Sequence, residues 1–306
     1  MTSLVVAALV MAVAAGARGT WSPCGLSMIS AINPIAEGAR GHRYWLTCAW
    51  FVGGAVAGGA ILGAGAATIA LLLQPLGFTN RVGIGVVASL VCLGSDLGVV
   101  GRQLPMHPRQ VDEEWLMRYR RWVYALGFGA QIGVGFATYI MTAGTYLFAA
   151  LAALSAEPYW AMLAGLTFGA MRGCAVLLTA RVRRPADLMT LHRRLDALAP
   201  WSLRAVELVQ AAVVGLLGWS LIYGSTGGEA GGAARVAIPL AVIVIVIVIA
   251  IIIVIVTALV VRALSSLGRP ARMDIGSPRV HRLLPLGSVG RYPDPDAHAA
   301  GRTGQS

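Results

Sequence analysis

Long apolar blocks separated by short polar connections dominate the sequence. Most of these blocks reach about 20 residues, which is enough helix to cross a hydrocarbon layer about 30 Å thick. In lipid the backbone polar groups must be paired within the segment, so each block predicts a helix and the whole pattern predicts an all-α integral membrane protein. The seven predicted spans cover about residues 3–35, 44–73, 82–100, 122–154, 158–180, 205–224 and 236–261.

The composition agrees with that pattern and excludes a water-soluble domain. Hydrophobic residues make up 57% of the 306 residues and charged residues only 12%, with a mean hydropathy of +0.74. Soluble domains carry about a quarter charged residues. The lipid bilayer is therefore the first predicted partner of the chain.

The arginines are distributed unevenly between alternate connections. All 24 basic residues are arginines, and positive residues accumulate in cytoplasmic connections. With the amino end outside, the outside connections contain only Arg81 and Arg235. This asymmetry predicts a multi-pass protein of the cytoplasmic membrane with its amino terminus outside and its carboxyl terminus in the cytoplasm. The inside connections then hold Arg40 and Arg43, five arginines in 101–121, six in 181–204 and seven from residue 262 onward.

The two longest inside connections mix arginine with acidic and apolar residues. Their sequences are QVDEEWLMRYRRW at 110–122 and RVRRPADLMTLHRRLDALAPW at 181–201. This composition predicts short amphipathic helices on the anionic inner leaflet, where each basic residue contributes about 1 kcal/mol of attraction. Docking of a soluble partner is the alternative, and the sequence does not decide between them.

The sequence offers no pattern for a metal, a cofactor or a nucleic acid. The four cysteines lie singly inside apolar blocks, so neither a disulfide framework nor a zinc ribbon is predicted. The five histidines lie in connections or in the tail, which leaves no paired imidazoles for a b-type haem. No basic stripe is interleaved with aromatics as in nucleic-acid binding, and no GxxxxGK(S/T) loop indicates ATP use.

The first apolar block is too long for one membrane-crossing helix. As a single helix, Val5 to Ile35 would extend about 46 Å. Pro23 within it removes a backbone donor and clashes with the preceding turn, so a break is predicted at 16–24. The stretch 1–16 ends in small residues like a signal peptide, but it lacks the positive n-region and is interpreted as mature structure.

A weak internal repeat divides the first six spans into two groups of three. In each group a span with glycine or proline precedes a span rich in small residues. Because three is odd, consecutive groups lie upside down relative to each other, as in many transporters. The alternative is that glycine and alanine are simply abundant. The predicted domains are a first three-helix repeat at 1–101, a second at 102–225, a C-terminal transmembrane helix at 226–262 and a disordered basic cytoplasmic tail at 263–306.

The seventh span differs from the others in its composition. Its centre, Ile243 to Val256, reads IVIVIVIAIIIVIV. Close packing of helices in lipid uses small residues, which this run almost entirely lacks. It therefore predicts a transmembrane anchor helix that faces lipid.

Cys24, which follows Pro23 at the predicted break, is the first candidate for chemistry. A thiol beside a helix break lies next to free backbone N–H groups that stabilise a thiolate. Arg18, six residues earlier, would add positive charge to the same place. The alternative is an inert cysteine that packs as a small hydrophobe.

Three further ionisable residues lie within or at the ends of spans, namely Asp96, Arg172 and Glu207. Charges at membrane depth are costly enough to be functional candidates. Together with Arg18 they are predicted to line a substrate or proton site. The alternative is a structural ion pair of Arg172 with Asp96 or Glu207.

The residues around the first break resemble a known family. The stretch SPCGLSMISAINPIAEG, followed by FVGGAVAGGAILG in a frame of two inverted three-helix units, is similar to the DsbD/CcdA-type membrane thiol-disulfide carriers of cytochrome c biogenesis. In that family each repeat carries a Pro-Cys pair, and the two cysteines pass electrons between cytoplasmic thioredoxin and an extracytoplasmic partner. The resemblance covers about 1–222 and implies that Pro23 and Cys24 are the first pair, with Cys24 catalytic.

The second Pro-Cys pair of that family is absent from this sequence. Ala137 and Thr138 occupy the corresponding positions. A single thiol cannot hold two electrons as an intramolecular disulfide, so the family mechanism does not transfer intact. Cys174 is a candidate partner thiol, provided that its Cα lies within about 7 Å of that of Cys24.

Three functions are therefore compatible with the sequence. The resemblance implies a carrier of reducing equivalents through Cys24, with a cytoplasmic thioredoxin-like protein and an extracytoplasmic thiol protein as partners. The same inverted-repeat frame also suits a secondary transporter or exporter of a small solute. A non-catalytic membrane scaffold is the third hypothesis.

Overall fold

The computed structural model describes residues 2–99 and 115–225 of the chain. These residues belong to one compact unit, Met1–Ala258. Within them the structure is entirely helical, which confirms the predicted fold class. The predicted anchor span at 236–261, within the domain 226–262, and the tail at 263–306 lie outside the described residues.

Ten α-helices and two short 3-10 turns make up the described part of the chain. Five of its segments are long and apolar enough to cross a membrane, and they identify the chain as a membrane protein: Ser3–Trp21, Tyr44–Leu72, Phe78–Asp96, Pro158–Thr179 and Pro185–Ile222. The helices are α1 (Thr2–Arg18), α2 (Pro23–Ala31), α3 (Pro34–Ala39), α4 (Tyr44–Leu72), α5 (Phe78–Asp96), α6 (Trp115–Arg118), α7 (Arg121–Val134), α8 (Gly144–Leu154), α9 (Pro158–Cys174) and α10 (Pro185–Ser225), and the 3-10 turns are Gly19–Trp21 and Ala175–Thr179.

Proline begins four of the helices, where its missing N–H leaves no bond unmade. Pro23, Pro34, Pro158 and Pro185 are each the first residue of their helix. Before Pro34, the side chain of Asn33 accepts hydrogen bonds from the backbone N–H groups of the next helix. Local sequence therefore determines where α2, α3 and α9 begin.

Glycines let α4 contact two neighbouring helices backbone to backbone. A Cβ atom added at Gly54 would lie 2.2 Å from the carbonyl oxygen of Leu126 on α7. One added at Gly59 would lie 2.3 Å from the carbonyl oxygen of Gly165 on α9. Close approach of this kind is how small residues join helices in lipid, so α4 is the central helix of a group formed by α7, α4 and α9.

The remaining helices pack around this centre. Helix α1 lies against α8, α9 and α10, and α5 lies against α10. At one such junction, Leu4, Leu151 and Leu217 approach Gly85 from three different helices. The predicted first and second repeats therefore interlock, and each packs its long helices against the other.

The arginine-bearing connections of the described residues meet at one end of the bundle. Hydrogen bonds link Ser30 to His192 at 2.9 Å and Tyr124 to Glu37 at 3.0 Å, which places the connection 40–43, the start of α7 and the start of α10 together. We call this the arginine-rich end. At the opposite end Arg81 donates to the carbonyl oxygen of Ser155 at 2.9 Å.

One predicted span and one predicted connection differ from the observed helices. The block 122–154 is not one helix, because residues 135–143 interrupt it between α7 and α8. The stretch 181–204 does not form a separate surface helix, since α10 runs without interruption through Pro200. With 41 residues, α10 is about 61 Å long and extends well beyond a hydrocarbon layer of about 30 Å. The break predicted at 16–24 is present at 19–22.

We expect Gly54→Ala to destabilise the bundle, because its Cβ would meet the backbone of α7. Overpacking of this kind lowers the free energy of unfolding by about 1–3 kcal/mol. The neighbouring Gly53→Ala is the matched control, since nothing lies within 4 Å of a Cβ at Gly53. Thermal unfolding of the purified variants in detergent measures the difference. Equal unfolding midpoints for the two variants would contradict this packing.

Candidate functional site

The first helix break is held together by Ser22. Its hydroxyl donates to the carbonyl oxygen of Gly19 at 2.7 Å and accepts from the backbone N–H of Gly25 at 3.0 Å. An added Cβ at Gly25 would lie 2.6 Å from the carbonyl oxygen of Thr20, so the chain is tightly folded here. Ser22 is fully buried, and its bonds satisfy backbone groups that the break would otherwise leave unpaired.

Cys24 is the second residue of α2, immediately after this break. Only 1% of the residue is exposed. It belongs to an apolar cluster with Met28, Phe51 and Phe128, and Cys48 lies in the same cluster. We call this group the Cys24 cluster. The thiol is therefore surrounded by apolar side chains that exclude water.

The second helix break lies between α7 and α8. It begins at Gly135, whose φ of 75° is a left-handed conformation that glycine adopts without strain. At its far end Asp96 accepts a hydrogen bond from the backbone N–H of Ala143 at 2.8 Å and another from the hydroxyl of Thr142. A carboxylate at a helix amino terminus is favourable, so Asp96 stabilises the start of α8.

Arg172 on α9 lies between the two breaks. Its Nη2 donates to the hydroxyl of Thr138 in the second break at 3.4 Å. An added Cβ at Gly19, in the first break, would lie 2.8 Å from its Nε. The guanidinium also lies 5.6 Å from the ring centroid of Phe168, a cation–π distance. Arg172 thus joins the two interruptions of the bundle.

The charge of Arg172 is buried and has no carboxylate beside it. Only 4% of the residue is exposed. Its Nε has no hydrogen-bond partner among the described residues, and it forms no salt bridge there. It does interact electrostatically with Cys24. Because an uncompensated buried cation is costly, this position favours any negative charge that forms nearby.

Arg18 and Asp96 lie on the other side of the first break. Nη1 of Arg18 donates to the hydroxyl of Ser202 on α10 at 2.8 Å. Arg18 and Asp96 attract each other electrostatically but form no salt bridge among the described residues. Gln210 donates to Asp96 at 2.8 Å. The pair of charges therefore connects α1, α5 and α10.

The remaining predicted site residues lie apart from Arg172. Glu207 pairs with Arg204 on its own helix at 3.0 Å, so the expected ion pair of Arg172 with Asp96 or Glu207 is not formed. Cys174 is the last residue of α9 and is exposed, whereas Cys24 is buried. No disulfide joins any of the four cysteines, all of which lie within the described residues.

Sequence reasoning missed a second buried polar group around Glu37. Its carboxylate is fully buried and bonded to Thr47 and Tyr124. The acid lies in what the pattern predicts to be an exposed connection. The available signal was Asn33-Pro34, a helix start that places Glu37 on a short helix.

Comparisons with known proteins identify relatives but no established family. No protein-family model matches the chain, and no solved structure matches it. The chain is 35% identical to "Methylamine utilization protein MauF" of Paracoccus versutus over 154 residues, which cover 48% of this chain and 56% of that protein. It is 33% identical to the protein of the same name from Paracoccus denitrificans over 152 residues, which cover 44% of this chain and 50% of that protein. It is 31% identical to the protein of that name from Methylobacillus flagellatus over 146 residues, which cover 45% of this chain and 50% of that protein.

The chain thus spans about half the length of the curated relatives that it matches. These relatives are named for methylamine utilisation and not as DsbD/CcdA carriers. The likeness agrees with a membrane protein, and the specific resemblance to thiol-disulfide carriers stays a prediction.

We expect Asp96→Ala to lower the free energy of unfolding by about 1–2 kcal/mol, because it removes the cap of α8 and leaves buried donors unpaired. Glu157→Ala is the control, since Glu157 precedes α9 but makes no side-chain capping bond. Thermal unfolding in detergent compares the two. A larger loss in Glu157→Ala than in Asp96→Ala would contradict the capping role.

Proposed function

We propose that this chain is a membrane protein of methylamine utilisation that passes reducing equivalents across the cytoplasmic membrane through the thiol of Cys24. The methylamine part rests on the printed names of the relatives. The redox part rests on one observation. A buried thiol at a helix break lies within electrostatic range of the guanidinium of Arg172, which forms no salt bridge among the described residues.

The proposed reaction is thiol–disulfide exchange in three steps. The sulfur of Cys24 attacks a partner disulfide, so a mixed disulfide forms as the partner's own S–S bond breaks and its second sulfur leaves as a thiolate. One thiolate of a dithiol protein of the thioredoxin type then attacks the sulfur of Cys24, so a second mixed disulfide forms and the first partner leaves with two thiols after taking up the protons of the dithiol. The other thiol of the dithiol protein attacks its own sulfur in this second mixed disulfide, which closes that protein's disulfide and returns Cys24 to a thiol.

Arg172 and the start of α2 supply the electrostatics for this exchange. Negative charge develops on sulfur when a thiolate attacks or leaves, and fixed positive groups in a dry site stabilise it. Arg172 is such a group, and the first turn of α2 adds backbone N–H groups beside Cys24. The Cys24 cluster keeps water away from both.

The partners complete what one cysteine cannot do alone. The proposed partners are a cytoplasmic thioredoxin-like protein and an extracytoplasmic thiol protein, with Cys174 as the candidate partner thiol within the chain. Cys48 is the other candidate, because it is buried in the same cluster as Cys24. A partner reaches Cys24 only after α2 and its neighbours separate, since the thiol is covered in this structure.

The proposed arrangement consists of two inverted repeats, at 1–101 and 102–225, with the amino end outside and the carboxyl end in the cytoplasm. Each proposed repeat begins with an interrupted helix, α1–α2 in the first and α7–α8 in the second. Gathering of arginine connections at one end of the bundle supports the orientation. The anchor helix at 226–262 and the tail at 263–306 complete the proposal.

A secondary transporter or exporter of a small solute is the second candidate. The observation that favours it is the group of charges beside the two breaks, the buried Arg18 and Arg172 and the partly buried Asp96. Binding sites of many transporters lie where interrupted helices meet at mid-membrane. Glu207 lies apart from this group and pairs with the exposed Arg204 of its own helix.

We expect wild-type protein, but not Cys24→Ser, to form a mixed disulfide with a thioredoxin variant that lacks its second cysteine and whose remaining cysteine is activated as a disulfide with thionitrobenzoate. The sulfur of Cys24 attacks that disulfide, and thionitrobenzoate leaves as its thiolate. Cys92→Ser, at a buried cysteine in a different apolar cluster, is the control and should keep the complex. Arg172→Gln should slow its formation at least about tenfold, because the charge on sulfur loses its counter-ion. Non-reducing gels after acid quenching measure the complex.

Two outcomes of that experiment separate the candidate functions. If Cys24→Ser forms the complex as fast as wild type, the carrier function is wrong. If Cys24→Ser keeps growth on methylamine while Arg172→Gln and Asp96→Asn abolish it, the transporter is favoured instead.

The proposed orientation predicts which exposed positions a membrane-impermeant maleimide labels in intact cells. In a Cys174→Ser background, Tyr159→Cys should be labelled, because it lies near Arg81 at the end assigned to the outside. Arg183→Cys, at the arginine-rich end, should be labelled only after lysis. Both native residues are exposed, so accessibility is matched. The reverse labelling pattern would overturn the orientation.

A further inference from the structure

Glu37 is a carboxylate enclosed by polar groups from three elements. Its residue exposure is 0%. Tyr124 on α7 donates to both of its oxygens, at 3.0 and 3.1 Å. Thr47 on α4 donates to Oε2 at 2.5 Å, and Arg40 donates to Oε1 at 2.8 Å. Such complete pairing keeps a buried charge in place.

A histidine connects this buried group to the surface. The side chain of His42 is 30% exposed, and its Nδ1 lies 3.5 Å from Oε2 of Glu37 and 3.3 Å from the hydroxyl of Tyr124. His42 lies in the short connection before α4, at the arginine-rich end. Histidine is the side chain whose charge ordinarily changes near neutral pH. A titratable group therefore lies between water and the buried carboxylate.

We propose that Glu37 is a proton-binding site, loaded from the arginine-rich end through His42. This role goes beyond the proposed exchange at Cys24 and does not depend on it. The sequence of contacts is continuous, from the exposed ring of His42 to Tyr124 and from Tyr124 to Glu37.

Each step of the proton route is a transfer between neighbouring groups. His42 takes a proton from water on its exposed nitrogen and passes one from Nδ1 to the hydroxyl oxygen of Tyr124. The hydroxyl gives its own proton to the carboxylate of Glu37. Tyr124 ends as a neutral phenol, His42 ends neutral with its proton on Nε2 instead of Nδ1, and Glu37 ends as a neutral carboxylic acid.

Other charged and titratable groups set the starting state of the site. Arg40, the residue after α3, forms a salt bridge with Glu37 at 2.8 Å. Cys48 on α4 lies within electrostatic range of Glu37. Loss of the negative charge on Glu37 weakens the hydrogen bonds that Thr47 and Tyr124 donate to it, so proton uptake changes what holds α3 to α4 and α7.

This placement gives the proton a structural effect on the thiol site. Tyr124 and Cys48 belong to the Cys24 cluster and also lie beside Glu37. Helix α4 belongs to the first predicted repeat and α7 to the second. A proton on Glu37 therefore weakens a contact between the two repeats next to the cover of Cys24.

Infrared difference spectra of the purified full-length protein in lipid nanodiscs test the proposal. As the pH is lowered, the carbonyl band of a buried, protonated carboxylic acid should appear in wild type. The band should be absent in Glu37→Gln and present in Glu157→Gln, the control at a less buried acid. Identical spectra for wild type and Glu37→Gln would overturn the proposal.

Tyr124→Phe provides a second measurement that leaves Glu37 in place. Loss of the hydroxyl donor should move the carbonyl band of Glu37 to higher frequency, and an unmoved band counts against the site. In deuterated buffer, His42→Gln should slow exchange of the Glu37 proton at least about tenfold. His192→Gln, at the same end, is the control and should leave the rate unchanged; equal rates in both variants would overturn the route through His42.

Discussion

Pairing of every backbone polar group within lipid is the constraint on which this structure depends. An uninterrupted helix satisfies it automatically, and a broken helix needs side chains to take over. Ser22 does this at the first break and Asp96 at the second. Both breaks therefore bring polar side chains to membrane depth, where they would otherwise be unfavourable. The candidate site follows from the repair of these two helices.

The glycines of α4 let the neighbouring helices approach closely enough to bring the two breaks together. Because backbone meets backbone at Gly54 and Gly59, α7 and α9 are both drawn against α4. This packing of α9 places the side chain of Arg172 between the two helix breaks. Its guanidinium then donates to Thr138 and lies within electrostatic range of a thiolate at Cys24. The position of the Arg172 charge is thus a consequence of helix packing. The charge itself does not stabilise that packing.

Much of the fold was predictable, because long apolar blocks and Pro23 have strong local effects. The break at 135–143 was not, since no proline marks it and its residues continue an apolar block. The continuity of α10 through Pro200 was also missed, because its arginines are typical of a surface connection. This part of α10 packs on the first break, where Trp21 of the 3-10 turn donates to the carbonyl oxygen of Leu195 at 2.7 Å. Cys24 and Arg172 were individually recognisable, whereas their proximity depends on tertiary packing.

Glu37 shows why the polar interior is harder to predict than the apolar one. Its partners Thr47 and Tyr124 are 10 and 87 residues away, so no local pattern contains the group. Burial of its charge is tolerated because each oxygen is bonded, and those bonds come from both predicted repeats. A neutral residue of the same size would fill the space without needing Arg40, Tyr124 and His42 around it. Packing alone does not explain why so many groups surround one carboxylate. The proposed proton exchange explains why one of them is the titratable ring of His42, at the exposed side of the group.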